Sequence, residues 1–162
     1  MSEKEREQKL EELGKEVLNL VAGKCVDPTT GRVYTSSMIE KALEECKAEV
    51  EGKAVWRGAR EGKSAKACAL DAIRVLVERQ VIPIARARMR LRVTAEKRAK
   101  EKVLGLFEKV EEEGFGEGTE WVVTGFVEPG LYKELVDVVG KETKGRGRVE
   151  ILEAAVIYEG ED

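Results

Sequence analysis

The sequence predicts an α+β protein in which a three-helix bundle is followed by a small βαββαβ sandwich. Two patterns predict this class. Apolar residues recur at helical spacing through the first half of the chain, whereas residues 85–93 alternate strictly between apolar residues and arginine. The 162 residues, 42% of them hydrophobic, are sufficient for two small cores. We place the boundary near residues 81–83, which gives domains at residues 1–82 and 83–162.

Three amphipathic helices are expected in the first domain. The first extends from about residue 3 to residue 22, and Gly23 follows it at a position that favours glycine. The second begins after a Thr–Ser–Ser sequence at residues 35–37, and the third begins after Ser64. Together the three apolar stripes should close into a bundle. The stripes are Leu10, Leu13, Val17, Leu20 and Val21; Ile39, Ala42, Leu43, Cys46 and Val50; and Ala65, Ala69, Ala72, Ile73 and Leu76.

The second domain is expected to contain four strands and two helices. Period-two alternation identifies the first strand, and glycine and proline mark the turns. The order of elements is that of a ferredoxin-like sandwich. The elements are a strand at 85–93, a helix at about 95–112, a hairpin with strands around Phe115 and at 120–126, a helix at 131–141 after the turn at 128–130, and a strand at 148–157.

The first strand of this domain places apolar residues on one face and arginines on the other. The arginines are Arg86, Arg88, Arg90 and Arg92. Four neighbouring cations repel one another, so anions must compensate them. Two interpretations remain open. The guanidinium groups bind RNA phosphates, or they form cross-strand pairs with Glu120, Glu150 or Glu153.

Further basic segments are candidates for RNA binding. Residues 141–148 alternate cations with glycines, which let a backbone approach a phosphate, although a solvated helix end would explain some of the charge. Further cations lie at the start of the third helix and on either side of the turn at residues 27–31, and solvated surface lysines are the alternative there. The candidate side chains are Lys144, Arg146 and Arg148, then Lys63 and Lys66, and finally Lys24 and Arg32.

The composition excludes several kinds of site. The net charge of −3 conceals a basic middle, because residues 51–110 carry a charge of +9 and residues 111–162 carry −9. The absence of histidine excludes imidazole bases and histidine metal sites. The three cysteines form no C-x-x-C pair and are expected in the core. We therefore expect no catalytic residues, no metal and no cofactor, and we expect a soluble intracellular protein that is not an enzyme.

Six segments occur together and in a fixed order, and they make the chain resemble a known family. They are residues 23–34 (GKCVDPTTGRVY), 38–42 (MIEKA), 63–66 (KSAK), 84–93 (IARARMRLRV), 128–130 (EPG) and 141–147 (KETKGRG). With these segments the chain resembles the Shwachman–Bodian–Diamond syndrome (SBDS) protein family of ribosome maturation factors. The resemblance extends over nearly the whole chain and implies a central helical domain followed by a ferredoxin-like domain.

The resemblance also implies a function. Members of the family act on the large (60S-type) ribosomal subunit and contact ribosomal RNA and ribosomal proteins. They work with an elongation-factor-2-like GTPase to release an anti-association factor, initiation factor six. The GTPase performs the hydrolysis, so the family member is an adaptor. The resemblance implies that Lys24, Arg32, Lys63 and Lys66, with the basic strand and loop, lie where the family presents a cationic surface to RNA or ribosomal protein. We expect a monomer in the cytoplasm that also occurs in the nucleus and nucleolus.

Two features depart from the family pattern. Members of the family begin with a further N-terminal domain, whereas this sequence starts where the second domain is expected. We expect that the chain is either a truncated form or a natural short form. The segment at residues 51–62 is longer than in the family and adds Trp56, Arg57 and Arg60. The alternative function is therefore a protein-interaction module that binds the GTPase or the ribosome without complete maturation activity.

Overall fold

The computed structural model describes residues 2–158. It contains helices and antiparallel strands, which confirms the predicted α+β class. The contacts divide the chain into two compact units, and the division falls between Arg86 and Ala87.

The first unit contains three helices. They are α1 (Glu3–Lys24), α2 (Ser36–Glu45) and α3 (Ala65–Arg79). The predicted caps of α2 and α3 are present, because the hydroxyl groups of Thr35 and Ser64 accept hydrogen bonds from main-chain amides three residues later. The predicted stripes supply most of the core. It includes Val17, Val21, Ile39, Ala42, Leu43, Cys46, Cys68, Ala69, Ala72, Ile73 and Leu76.

Two stripe residues lie outside this core. Leu10 is 45% exposed on α1, and Val50 is 48% exposed beyond the end of α2. The helix ends at Glu45, and the chain then leaves it for a loop. Arg79 holds this loop, because its Nη1 donates hydrogen bonds to the carbonyl oxygens of Cys46, Ala48 and Ala54 at 3.0, 2.8 and 3.2 Å.

A short strand that the sequence did not predict completes the first unit. Strand β1 (Cys25–Val26) pairs antiparallel with Ala85 and Arg86, the first residues of strand β2 (Ala85–Glu96). Cys25 is fully buried, and Cys46 and Cys68 are also buried thiols, as predicted.

The second unit contains a four-stranded antiparallel sheet. Its strand order is β5–β2–β4–β3, and the first and fourth strands of the unit are therefore neighbours. The predicted bounds of β5 agree with the structure. The elements after β2 are α4 (Lys100–Leu104), β3 (Lys109–Phe115), β4 (Glu120–Val127), α5 (Tyr132–Thr143) and β5 (Arg148–Ile157), with 3-10 turns at Lys97–Ala99 and Pro129–Leu131.

The predicted helix at residues 95–112 is wrong at both ends. Ala95 and Glu96 still belong to β2, where they pair with Trp121 and Glu120. At the other end β3 begins at Lys109 and pairs with β4. Only the five residues of α4 are α-helical here, because the residues on either side pair with β4 in the sheet instead of continuing a weak local helical pattern.

One face of the sheet forms the core of the second unit. Alternate residues of β2 and β4 pack in the same buried cluster as side chains from α4 and α5. The cluster includes Met89, Leu91, Val93, Trp121, Val123, Val127, Val103, Leu135 and Val139. The predicted alternation of β2 is therefore confirmed, and its arginines lie on the opposite face of the sheet.

Candidate nucleic-acid interface

Strand β2 presents three arginines on the second unit, and a fourth falls in the first unit. Arg88, Arg90 and Arg92 alternate with the buried residues of the strand. Arg86 is half-buried, and its main chain pairs with Cys25 of β1. The continuous four-arginine segment of the sequence is thus divided by the unit boundary.

Glutamates on strands β3 and β5 of the same sheet compensate two of these arginines. Arg90 Nε donates to Glu111 Oε1 at 2.7 Å, and its Nη1 lies 3.9 Å from Glu153 Oε1. The hydrogen bond to Glu111 raises the pKa of the Arg90 guanidinium above its usual range. Arg92 Nη1 lies 3.9 Å from Glu150 Oε2. The cross-strand ion pairs expected with Glu150 and Glu153 are therefore present.

The third predicted partner, Glu120, forms no ion pair with these arginines within residues 2–158. It pairs through its main chain with Glu96 at the far end of β2. Strand register separates it from the arginines along the strand.

Arg88 has a different environment from its neighbours. Its guanidinium carbon lies 4.0 Å from the centroid of the Phe126 ring and 4.9 Å from that of Tyr158. Its Nη1 lies 3.6 Å from Glu108, which also accepts a hydrogen bond from the Tyr158 hydroxyl. The Nε atom is buried and has no hydrogen-bond partner among the described residues. Aromatic rings and one carboxylate thus confine this cation to the sheet.

The basic loop after α5 is fixed by its own main chain and by Thr143. Lys144 adopts the left-handed conformation with φ of 54°, and the amide of Gly145 bonds the carbonyl of Gly140 at 2.9 Å. The Gly147 amide donates to Thr143 Oγ1 at 2.8 Å. Arg146 lies 3.4 Å from Glu96. These bonds hold an exposed loop that carries cations.

Strand and loop share one of the glutamates. Arg148 Nε lies 3.3 Å from Glu150 Oε1, while Arg92 approaches the other oxygen of that carboxylate. The structure therefore brings together Arg92 and Arg148, two predicted site residues that lie far apart in the sequence.

The two candidates beside the first turn differ in exposure. Lys24 is the last residue of α1 and is only 6% exposed. Arg32 is exposed and follows a turn in which Asp27 accepts a hydrogen bond from the Thr29 amide at 2.8 Å. Of this pair, Arg32 presents its side chain to solvent.

The candidates at the start of α3 surround a carboxylate. Lys63 forms an ion pair with Asp71, and Arg74 lies 3.3 Å from the other oxygen of Asp71. The hydrogen bond from Lys63 holds the pKa of the Asp71 carboxyl below its usual range. Lys66 is exposed one position inside the helix and forms no ion pair with a residue in the range 2–158.

Three cations near Asp71 were not among the predicted site residues. Arg57, Arg60 and Arg74 line the same concavity as Lys63. The signal for the first two was present in the sequence, where Gly58 and Gly62 interrupt a basic segment, and both glycines adopt positive φ. Arg74 had no such signal, because only the folding of the loop onto α3 brings it to Lys63.

The described part of the chain offers no group of three potential metal ligands. None of its helices has the length and apolar character needed to cross a bilayer.

Two family models match the chain in succession. The model for domain II of the SBDS protein matches residues 15–87, and the model for its C-terminal domain matches residues 88–154. Relatives named ribosome maturation protein SBDS from Homo sapiens and Xenopus laevis are 36% and 35% identical over the whole chain. Ribosome maturation protein sdo1 from Schizosaccharomyces pombe is 36% identical over 94% of the chain.

The chain spans about three fifths of the length of these relatives, 61% of the human and Xenopus proteins and 59% of the fission yeast protein. The two models together extend from residue 15 to residue 154. The chain therefore belongs to the SBDS family, and it matches the second and the C-terminal domains of that family.

Proposed function

We propose that this protein is a ribosome maturation adaptor that binds the large ribosomal subunit through RNA. One observation carries the proposal. Identity of 35–36% extends over the whole chain to proteins named for ribosome maturation, so both units share the similarity. The adaptor would assist an elongation-factor-2-like GTPase in releasing initiation factor six, with hydrolysis on the GTPase and none on this chain.

We further propose that residues 1–82 form a three-helix bundle and residues 83–162 a ferredoxin-like domain. The packing of α1, α2 and α3 around one core supports the bundle. The antiparallel order β5–β2–β4–β3 and the helices on one face support the ferredoxin-like arrangement. The division of contacts at Arg86 supports two domains.

The exposed cations are the strongest candidates for RNA contacts. Binding to Arg90 or Arg92 requires that an RNA phosphate replace a glutamate, whereas Arg32, Lys66 and Lys144 are exposed and have no carboxylate within ion-pair distance among residues 2–158. Phosphate contacts from such side chains give most of the affinity for RNA and make it sensitive to salt.

Lys144 provides a specific argument for this surface. A lysine in the left-handed conformation costs roughly 1 kcal/mol relative to glycine, the residue that helix ends favour at this position. A role for its ammonium group in RNA binding would account for that cost. We therefore expect Lys144→Gly to raise the free energy of unfolding by roughly 1 kcal/mol and to weaken RNA binding at about 0.1 M salt by about fivefold.

Denaturant unfolding and RNA titration of the Lys144→Gly variant measure both effects. Lys133→Gln is a matched control, since it removes one exposed charge from the same helix. A variant that is stabilised but binds RNA like the control would show that this lysine makes no phosphate contact.

Sedimentation with purified large subunits tests the function as a whole. The protein should co-sediment at about 50 mM salt and lose most of its affinity at about 200 mM. Subunits isolated with initiation factor six bound should release the factor when the GTPase, GTP and this protein are added together. Absence of co-sedimentation even at about 50 mM salt would refute the proposal.

A second candidate is a protein-interaction module that binds the GTPase. Exposed apolar side chains on β3 and β5 favour it, because Phe115 is 62% exposed and Val110 and Ile151 are also exposed. Capture by the GTPase without subunit binding would support this candidate. In either case we propose a monomer in the cytoplasm and nucleus, which light scattering and a fluorescent fusion would test.

A further inference from the structure

The first unit contains a cationic pocket between the loop that follows α2 and the outer face of α3. Its volume is about 250 Å³, and it is open to solvent. Four cations and one carboxylate line it together with Trp56. The cations are Arg57, Arg60, Lys63 and Arg74, and the carboxylate is Asp71.

Asp71 compensates only part of this charge. Its two oxygens are occupied by Lys63 and by Arg74, the latter at 3.3 Å. Arg60 is also near enough for its charge to act on Asp71. One carboxylate against four cations leaves an excess of three positive charges on the lining of one small concavity, and an anion would relieve their repulsion.

The loop that carries two of these arginines is held in place. Arg79 bonds the carbonyl of Ala54, and the Trp56 amide donates to the carbonyl of Cys46 at 2.9 Å. Arg57 and Arg60 follow directly and are exposed, so the loop presents their guanidinium groups without burying them. A pocket whose walls are fixed in advance loses less conformational entropy when a ligand binds.

We propose that this pocket binds a backbone phosphate of RNA. Three of its four cations are arginines, and guanidinium groups bind phosphate oxygens through paired hydrogen bonds. A phosphodiester carries one full negative charge, so its binding would lower the excess of positive charge on the lining from three to two. The inference rests on the proposed function for its choice of RNA and extends it to residues outside the predicted site.

Replacement of the two loop arginines by glutamine tests whether the pocket binds RNA. The double variant Arg57→Gln with Arg60→Gln should bind a short fluorescein-labelled single-stranded RNA about 25-fold more weakly at about 0.1 M salt. The slope of log affinity against log salt should fall by about 1.4, since each phosphate contact on a single strand contributes about 0.7. Fluorescence anisotropy of the full chain measures both quantities.

A matched control separates the pocket from general charge. Arg6→Gln with Lys9→Gln removes two exposed cations from α1 in the same unit. It should change the affinity by less than about threefold, because neither side chain lines the pocket. Equal losses of RNA affinity in the two double variants would contradict the proposal that the pocket binds RNA.

Asp71→Asn provides a test in which the expected result is tighter binding, whereas loss of folding would weaken binding. Removal of the one carboxylate raises the excess charge of the lining from three to four, so RNA should bind about twofold to fivefold more tightly. Unchanged or weaker binding by a folded Asp71→Asn protein would contradict the proposal. A poly-glutamate peptide that competes for the pocket as well as RNA does would also contradict it.

Sedimentation of the same variants with large subunits separates failure of the pocket from failure of the function. If the wild type co-sediments and the Arg57, Arg60 double variant does so with equal affinity, the pocket proposal fails and the ribosomal function stands. If the wild type does not co-sediment, the proposed function fails. RNA binding that depends on the pocket would then stand by itself.

Discussion

Thr143 is the residue whose replacement tests most directly how the basic loop is held. Its side chain is fully buried, its hydroxyl donates to the Val139 carbonyl at 2.6 Å, and its oxygen accepts from the Gly147 amide at 2.8 Å. Thr143→Val keeps the size and shape of the side chain but leaves the Gly147 amide without its acceptor. A buried donor without a partner costs about 1–3 kcal/mol.

We therefore expect Thr143→Val to lower the free energy of unfolding by about 2 kcal/mol. In a domain of this size that loss corresponds to a decrease in Tm of about 8–16 °C. Urea unfolding followed by circular dichroism measures the first quantity, and a thermal scan measures the second. Hydrogen exchange should show in addition that the Gly147 amide loses protection.

Thr143→Ser is the control, because it retains the hydroxyl and removes only a buried methyl group. That loss costs about 1 kcal/mol, so the serine variant should lie between the wild type and the valine variant. The Gly147 amide should remain protected in it. A valine variant that is as stable as the serine variant would refute the reasoning, since it would show that the methyl packing matters more than the hydrogen bond.

Three further predictions concern the two cores and acid stability. Gly125→Ala should lower the free energy of unfolding by about 3 kcal/mol, because a Cβ atom there would lie 2.2 Å from the Lys109 carbonyl oxygen and force β3 from β4. Arg79→Met should cost about 2 kcal/mol, since three carbonyls lose a charged donor. Hydrogen bonds from Trp121 and then Lys100 hold the pKa of Glu113 below its usual range, so its stabilisation is present above about pH 4.3 and is lost as the pH falls through the folded pKa.

Urea unfolding at neutral pH measures the first two variants, with Gly14→Ala as a control because a Cβ atom there meets nothing within 4 Å. A Gly125→Ala protein as stable as this control would show that the strands separate without cost. For the third prediction, Glu113→Gln should flatten the dependence of stability on pH below about 4.3. An unchanged pH profile would show that other carboxylates determine acid unfolding.

Much of the fold could be predicted from local pattern. The caps Thr35 and Ser64 begin helices as predicted, because a hydroxyl at these positions satisfies amides that the helix leaves unpaired. The alternation of β2 is also a local property, since a strand with one buried face requires it. The prediction of a helix at residues 95–112 was wrong because the structure of this segment depends on contacts that are not local. Its residues join β2 and β3, and the gain from pairing with β4 depends on a strand distant in sequence.

The candidate site was also predictable from the sequence only in part. Composition by itself identified the basic segments, and the sequence alone supported two interpretations of the β2 arginines. Strand register decided which carboxylates lie near them, and two of these partners, Glu108 and Glu111, lie beside or within a strand that the local pattern assigned to a helix.

The sequence by itself determined the α+β class, the basic middle of the chain and the membership in the SBDS family. These properties follow from residue type and spacing, which folding leaves unchanged. Only the tertiary structure decided which cations are compensated, because an ion pair depends on distances of a few ångströms between segments far apart in the chain. That is why Arg90 is paired with Glu111, while Arg57 and Arg60 line a pocket in which Asp71 is the single carboxylate.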